Sequence, residues 1–365
     1  MTSTPRFQRL AFFTRLLDAA PPAERYRLAA EQIAHAESQG YDAAWVAQHH
    51  FHEHEGGLPS PFVFLGHLAG RTSRIRLGTG IITLPLELPV RVAEDAIVLD
   101  LISGGRLELG VGNGGNPTAF AGFELDGEHR GDLFTRNLAR LRGALKGEPI
   151  PGGDTLYPQK PDLVERIWQA TFSVSGGTRA GMAGDGLMLS RTQPRPAETP
   201  HATLAERQDP IIDAYLAALP PGRAPRIVGS RSVFVAETRA EALRLADLGL
   251  RTAVRRFIER GHRVPGDTLA DLIKAFDVHV GTPAEVIASL RADKTLARVT
   301  DLAVQVHSID PPHPWILRSI ELVAQEVAPA FGWPPTLPKA SPGGQEGIDF
   351  RTTTTQRSTS PATIA

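Results

Sequence analysis

Short apolar segments typical of strands alternate with segments of helical period along most of this chain, and that alternation constrains its fold more than any other feature. The pattern begins with an apolar run, which is followed by a segment of helical period that ends at Gly40. We predict strands at residues 10–16, 41–48, 75–84, 106–111, 167–174, 187–190, 226–235 and 302–306. Strands that alternate with helices pair in parallel through right-handed crossovers.

A closed (β/α)8 TIM barrel and an open doubly wound sheet both satisfy this alternation, and eight strands favour the barrel. We predict helices at residues 22–40, 61–70, 90–102, 130–145, 240–260, 283–293 and 315–328, and a short helix that begins at Thr178. We expect one barrel domain over residues 1–335, with insertion loops at the C-terminal face. Two candidate lids interrupt the pattern, at residues 191–208 and 261–280. Residues 336–365 form a polar tail that we expect to be disordered.

The composition limits the possible partners of the chain. Its formal net charge of -1 creates no long-range field, so we expect no nucleic acid and no anionic membrane partner, and small neutral or weakly charged substrates fit better. The absence of cysteine excludes disulfides, thiolate metal sites and cysteine nucleophiles. No signal-peptide core and no membrane-length apolar stretch is found, so we expect a cytoplasmic protein.

The densest polar cluster is HHFHEHE, residues 49–55, directly after the second predicted strand. Active sites of barrels form at this end of the strands. The alternate histidines His50, His52 and His54 would suit a metal site, and a metal-dependent hydrolase is therefore a rival reading. The alternative is a polar loop in which His52 and His54 simply face water, and it needs no further ligands from later strands.

Two further segments could bind an anion. The glycine-rich run of residues 110–116 follows the fourth strand, and the residues after it, through Phe120 and Phe123, suggest a loop. The segment SVSGGT, residues 173–178, joins a strand to a helix, where unpaired amides and the helix dipole favour a phosphate. Arg130 could supply a cation to the same phosphate. An apolar pocket could be lined by Phe12, Trp45, Phe51, Phe120 and Phe123, although each also suits core packing.

Taken together, the sequence resembles the bacterial luciferase-like, flavin-dependent monooxygenase family. The resemblance is dense over residues 8–130 and thinner beyond, in GDGLMLS and GTPAE. The motifs that carry it are GYD at residues 40–42 with Trp45, HHF at 49–51, RTSRIRLGTG at 71–80, LP at 84–85 with PVR at 89–91, AED at 93–95, LD at 99–100 and SGGRLELG at 103–110.

The resemblance implies a barrel that holds reduced flavin mononucleotide (FMN) at its C-terminal face. A separate NAD(P)H-dependent flavin reductase would supply the FMN by diffusion. Oxygen would add to the flavin C4a carbon, and the hydroperoxide would attack an aldehyde or another small organic substrate. Family members also often form dimers, so a homodimer is expected.

The family's functional residues can be carried over position by position. His49 matches the catalytic histidine, and His50 is its neighbour and a second candidate. Thr79, Gly80 and Ile81 match the segment against the flavin ring, where the family has a non-proline cis peptide at the position of Gly80 and Ile81. The expected phosphate contacts are Arg130, Ser173 and Gly176, with Ser175 or Thr178 substituting for the hydroxyl that Gly176 lacks, and Asn113 standing where luciferase has an arginine.

Two other readings on this fold remain. One is a deazaflavin-dependent oxidoreductase that transfers hydride without oxygen, and the other is a flavin-binding protein without turnover. The HHF run and the polar loop after it favour the monooxygenase. The substrate cannot be named from the sequence.

Overall fold

The computed structural model describes residues 6–191, 193–196, 198–199, 201–259, 264–306 and 310–334. The strands in this part of the chain are β1 Arg9–Thr14, β2 Ala43–Val46, β3 Arg76–Thr79, β4 Ile82–Thr83, β5 Leu107–Gly112, β6 Ile167–Ala170, β7 Gly186–Leu189, β8 Ile227–Val235, β9 Val278–Gly281 and β10 Asp301–Gln305. The helices are α1 Pro22–Ser38, α2 Pro61–Ala69, α3 Pro89–Ile102, α4 Pro117–Gly122, α5 Arg130–Leu145, α6 Val174–Met182, α7 Leu204–Ala218, α8 Arg239–Glu259, α9 Leu269–Ala275, α10 Pro283–Ala292 and α11 His313–Leu322.

Parallel strands close into a barrel in the order β1, β2, β3, β5, β6, β7, β8 and β10. The closure lies at β10, which pairs with β1 through Leu302 and Leu10 and with β8 through Ala303 and Ser230. The eight predicted strands are these eight, and the (β/α)8 barrel is confirmed. The short β4 pairs with β5, and β9 extends the sheet beside the second half of β8.

The interior of the barrel is filled by side chains rather than open. Trp45 and Trp168 meet edge to face, with ring centroids 5.7 Å apart. The rest of this interior cluster is small or aliphatic and comprises Ala11, Ala43, Met188, Val228 and Ala303. Inward-facing residues of alternate strands form such layers in barrels, so a ligand can enter only at an end.

Two local predictions were wrong, and capping explains both. Residues 117–122, expected as loop, form α4, because the Asn116 side chain accepts a hydrogen bond from Thr118 N and Pro117 suits the first turn. The helix expected to begin at Thr178 begins at Val174, because Ser173 caps it by accepting from Gly176 N. Separately, the strand predicted at residues 75–84 is divided into β3 and β4 at Gly80 and Ile81.

The two candidate lids are only partly loops. Residues 191–208 run into α7, whose capping box is formed by Thr203 and Glu206. Residues 261–280 contain α9 and most of β9. The predicted disordered tail lies outside the described residues. In the described part of the chain, no helix has the length and apolarity needed to cross a membrane.

Candidate active site

A cavity of about 610 Å³ opens at the C-terminal ends of the barrel strands. Each of the eight barrel strands, or the loop after it, contributes to its wall. Small-molecule and cofactor sites commonly measure about 300–1,000 Å³, and this end of a barrel is where active sites form. The cavity therefore lies where the sequence predicted the site.

The floor of the cavity is apolar. Phe13, Ile81 and Ala170 line it and pack on the interior cluster, whose members Met188 and Val228 also reach the cavity. An apolar floor closed from below suits a ring system and excludes water from one of its faces.

The peptide bond between Gly80 and Ile81 is cis, as the family resemblance implies. Gly80 N donates to Val46 O at 2.8 Å, which joins this turn to the end of β2. A Cβ atom on Gly80 would stand 2.7 Å from Cε2 of Phe13. Both residues of the bond line the cavity, and only glycine allows Phe13 to approach this closely.

Thr79, the third residue predicted in this segment, is not among the residues that line the cavity. Its hydroxyl donates to Gly110 O at 2.8 Å and accepts from Gly110 N at 2.9 Å. Thr79 is fully buried and holds β3 to β5, so its position gives it a structural part beside the predicted cofactor segment.

His49 lines the cavity, and its imidazole is neutral. Burial, then the positive charge of Arg15, then His50 lower the pKa of His49 to about 3. Among the described residues none forms a hydrogen bond with the imidazole, whereas His49 N donates to Leu58 O at 3.0 Å. A neutral imidazole can donate one hydrogen bond and accept another, so it can exchange a proton with a ligand in the cavity.

His50 lies beside His49 on the cavity wall, in an aromatic environment. Its ring centroid is 5.0 Å from that of Phe123, edge to face, and 5.8 Å from that of Phe51. Burial lowers the pKa of His50. Within the described chain, its Nε2 atom is buried and has no hydrogen-bond partner, which leaves it available to a ligand.

Asn113 follows β5 and also lines the cavity. Its Oδ1 atom is buried and accepts no hydrogen bond from any described residue. A buried acceptor without a donor costs about 1–3 kcal/mol. A ligand hydroxyl or N–H at this point would remove that cost.

The predicted phosphate contacts divide into two groups. Arg130 and Ser173 line the cavity together with Thr171. Ser175, Gly176 and Thr178 are not among the lining residues, since α6 begins earlier than predicted. The Thr178 hydroxyl donates to Val174 O at 3.2 Å, while the Ser175 hydroxyl lies 3.2 Å from that of Ser173.

Gly176 departs from the hydroxyl-bearing residue expected at this position, and packing explains why. A Cβ atom on Gly176 would stand 1.9 Å from Thr171 Oγ1. Thr171 therefore occupies the space of a side chain at position 176 and brings its own hydroxyl to the cavity wall.

Two arginines of the cavity were missed by the sequence analysis. Arg15 follows β1 and Arg191 follows β7, so each stands where a barrel strand ends. Arg191 directly follows the strand predicted at residues 187–190, and that position could have indicated it, since this end of the strands builds the site. Arg15 lies inside the strand predicted at residues 10–16, and only the earlier end of β1 in the structure places it in the loop.

The predicted aromatic pocket is only partly correct. Phe120 lines the cavity, but the β1 residue that lines it is Phe13 rather than Phe12, which is buried in the outer core with helix residues. Trp45 lies in the barrel interior. Phe51 and Phe123 are exposed and pack on each other, with centroids 5.7 Å apart.

The metal-hydrolase reading finds no support in the geometry. The rings of His52 and His54 lie 5.4 Å apart, but the described residues contain no group of three or more His, Asp or Glu side chains that could hold a metal ion.

Comparisons with known proteins agree on one family. A family model described as luciferase-like monooxygenase matches residues 7–300. The limonene 1,2-monooxygenase of Rhodococcus erythropolis is 28% identical over 318 residues, which are 82% of this chain and 80% of that protein. The 4-hydroxyprotoasukamycin monooxygenase of Streptomyces nodosus subsp. asukaensis is 31% identical over 56% of this chain and 57% of its own length.

A third relative is the oxygenase component of the flavin-dependent trigonelline monooxygenase of Acinetobacter baylyi, 32% identical over 30% of each chain. This chain therefore spans about half, or less, of the length of two of these three relatives.

Solved structures share the fold over nearly the whole chain. Monooxygenase RslO1 of Streptomyces bottropensis superposes with a TM-score of 0.70 at 25% identity, over 89% of this chain and 100% of that one. The oxygenating constituent of 3,6-diketocamphane monooxygenase of Pseudomonas putida, solved with FMN, has a TM-score of 0.68 at 21% identity, over 89% and 98%. The coenzyme F420 dependent tetrahydromethanopterin reductase of Methanopyrus kandleri has a TM-score of 0.65 at 20% identity, over 90% and 100%. At these last two identities the likeness shows the fold alone.

Proposed function

Since this chain belongs to the luciferase-like monooxygenase family, we propose that it is the oxygenase component of a two-component, FMN-dependent monooxygenase. It binds reduced FMN supplied by a separate flavin reductase and oxygenates a small organic substrate, such as an aldehyde. The observation that carries the proposal is the neutral His49 imidazole on the wall of a cavity with an apolar floor and polar groups that lack partners.

The cavity fits FMN in its chemistry as well as its size. At one side, Arg130 offers a cation, and Ser173 and Thr171 offer hydroxyls near the N-terminus of α6, which together suit a phosphate. The floor of Phe13, Ile81 and Ala170 suits the flavin ring. Asn113 Oδ1 suits a hydroxyl or ring N–H, because it still needs a donor.

When bound, the reduced flavin supplies the electrons that activate molecular oxygen. The residues of this chain have three tasks around it. The floor excludes water from one face, the polar end holds the phosphate, and His49 exchanges a proton at an imidazole nitrogen. Because its pKa is about 3, His49 stays neutral at physiological pH and presents one N–H donor and one acceptor.

The active form in this proposal is a homodimer. An apolar surface on α2 and α3, which we call the α2–α3 face, is formed by Val63, Val98, Leu101 and Ile102, and these side chains are between 47% and 74% exposed. Aliphatic side chains clustered on neighbouring helices commonly mark a protein interface. A second copy of this chain would cover them symmetrically.

Reconstitution of the purified protein tests the function. Aliquots are loaded with FMN or with a deazaflavin, photoreduced without air and then mixed with oxygen, while flavin absorbance is followed. We expect a long-lived oxygen adduct with FMN in the parent chain, and in His49→Ala unchanged FMN binding with most turnover lost.

Other outcomes would contradict the proposal. Tight deazaflavin binding without an oxygen adduct would assign the chain to hydride transfer, the second reading that the sequence leaves open on this fold. FMN binding without any oxygen reaction would indicate a flavin-binding protein without turnover. Unchanged turnover in His49→Ala would remove His49 from the catalytic role.

A further inference from the structure

Arg191 is a cation in the cavity wall that forms no ion pair with any described residue. It follows β7, and its Nη1 donates to the Ser232 hydroxyl on β8 at 3.3 Å. In the described part of the chain, that is its one hydrogen bond, and no carboxylate lies within ion-pair distance of it. A partly buried guanidinium with most of its N–H groups unused is costly unless a ligand pairs with it.

The nearest acidic side chains already have other partners. Asp277 holds Arg195 at 2.8 Å through both carboxylate oxygens, and Asp310 lies 3.7 Å from Arg256. No Asp or Glu is among the described residues that line the cavity. The described wall of the cavity therefore has positive groups and no carboxylate.

Arg15 is a second cation in the cavity wall, and it lies near Arg191. Burial first, and then the charge of Arg15, lower the pKa of Arg191 to about 10. The same Arg15 charge acts on His49. The Arg15 guanidinium donates a hydrogen bond to the backbone oxygen of Glu55, which holds it in place. Its charge therefore lies close to both Arg191 and His49.

This pair of arginines is separate from the proposed phosphate end. Ser173 follows β6, whereas Arg191 leans from β7 toward β8, away from β6. Arg15 follows β1, which lies on the far side of β8 and β10. The cavity wall thus has one cation for the phosphate and two more elsewhere, of which Arg15 acts on both Arg191 and His49.

We propose that Arg191, assisted by Arg15, binds a carboxylate of the organic substrate, so that the enzyme acts on small organic acids with an apolar body. This inference rests on the proposed function, since it assigns the substrate class of the same cavity. The planar guanidinium matches the two oxygens of a carboxylate in a bidentate pair. Leu86, Phe120 and Leu189 line the cavity and suit the apolar body.

The position of the carboxylate also orients the substrate. Binding between Arg191 and Arg15 brings the substrate beside His49, where the proton is exchanged. The near-zero net charge of the chain led us to expect weakly charged substrates, but net charge describes the field outside the protein. Selection inside a cavity depends on the local charges, which here are positive.

Paired probes test this inference without any turnover. Hexanoate and its neutral counterpart hexanamide are titrated by calorimetry into the full chain, with and without bound FMN. We expect hexanoate to bind about tenfold more tightly or better, because hydrogen bonds to charged groups typically exceed that factor. Arg191→Gln and Arg191→Met should abolish this preference, and Arg191→Lys should retain part of it.

Two controls distinguish binding at Arg191 from a general effect of net charge and from an effect on the FMN phosphate site. Arg255→Gln on α8 changes the net charge equally but should leave the preference intact. The ratio of FMN to riboflavin affinity should be the same in Arg191→Gln and in the parent. No preference for hexanoate in the parent, or a preference retained by both neutral variants, would overturn the inference.

A fall in the FMN to riboflavin ratio in Arg191→Gln would also overturn it, by assigning Arg191 to the phosphate. The titration on the FMN-free chain gives its answer even if FMN does not bind or does not react with oxygen. Failure of the proposed function is therefore distinguishable from failure of this inference.

Discussion

Gly56 lies directly against the ring of His49, and a Cβ atom on Gly56 would stand 2.5 Å from Cδ2 of the imidazole. The loop between them is closed by two backbone hydrogen bonds of 3.0 Å, from His49 N to Leu58 O and from Gly57 N to Arg15 O. No described residue forms a hydrogen bond with the imidazole, so packing against this glycine positions the ring.

Gly56→Ala should therefore displace the imidazole from the cavity wall. We expect turnover to fall roughly tenfold to hundredfold, the order of loss that a shift of about 1 Å in a catalytic group produces. FMN affinity should change little. Gly152→Ala is the matched control, because Gly152 also has a positive φ but a Cβ there would meet no atom within 4 Å. Equal turnover in both variants would mean that Gly56 does not position His49.

The neutral His49 should make stability depend on pH. Burial lowers its pKa to about 3 from 6.5, so between these values the unfolded chain binds a proton that the folded chain does not. The free energy of unfolding should fall as the pH falls below 6.5, with roughly 1–3 kcal/mol from this residue by pH 4. Urea unfolding measures this loss. It should be absent in His49→Asn and retained in His67→Asn, which replaces an exposed histidine. Identical pH profiles of the parent and His49→Asn would contradict the prediction.

Arg130 should distinguish FMN from riboflavin. Loss of a charge-assisted hydrogen bond to the phosphate should weaken FMN about tenfold or more in Arg130→Ala, with little effect on riboflavin. Fluorescence titration of both flavins measures the ratio. Arg140→Ala, an exposed arginine on the same helix, is the control. Equal weakening of the two flavins would mean that Arg130 does not bind the phosphate.

Gly176→Ser should destabilise the fold by about 1–3 kcal/mol, the usual cost of overpacking, because Thr171 Oγ1 occupies the space of its Cβ. Replacing Thr171 by glycine should remove most of this cost. A double-mutant cycle of urea unfolding measures the coupling between the two positions. Additive effects of Gly176→Ser and Thr171→Gly would show that the close contact is not the cause.

The proposed dimer should depend on the α2–α3 face. Val98→Asp and Ile102→Asp place a charge among exposed aliphatic side chains and should shift the protein toward monomers, because a buried unpaired charge is costly. Light scattering over a concentration series measures the mass. Leu248→Asp on α8, at a residue that is 60% exposed, should leave the mass unchanged. A parent chain that is monomeric at all concentrations would refute the dimer.

The barrel, and the end of it at which the site lies, follow from the sequence alone. Alternating strands and helices leave few topologies, and polar residues directly after strands lie at the C-terminal face in any of them. The cis bond between Gly80 and Ile81 and the position of His49 in the cavity were also foreseen, through family resemblance rather than through spacing.

Which side chains face the cavity depends on how the strands pack in the closed barrel. Successive residues of a strand point to opposite faces, and in a barrel strand both faces are buried. The apolar pattern of β1 therefore cannot show whether Phe12 or Phe13 faces the barrel interior. In the closed barrel it is Phe13 that faces the cavity. The closeness of Arg15 to Arg191 has the same origin, because β1 and β7 lie far apart in the sequence and only closure of the barrel through β8 and β10 brings their ends to one cavity.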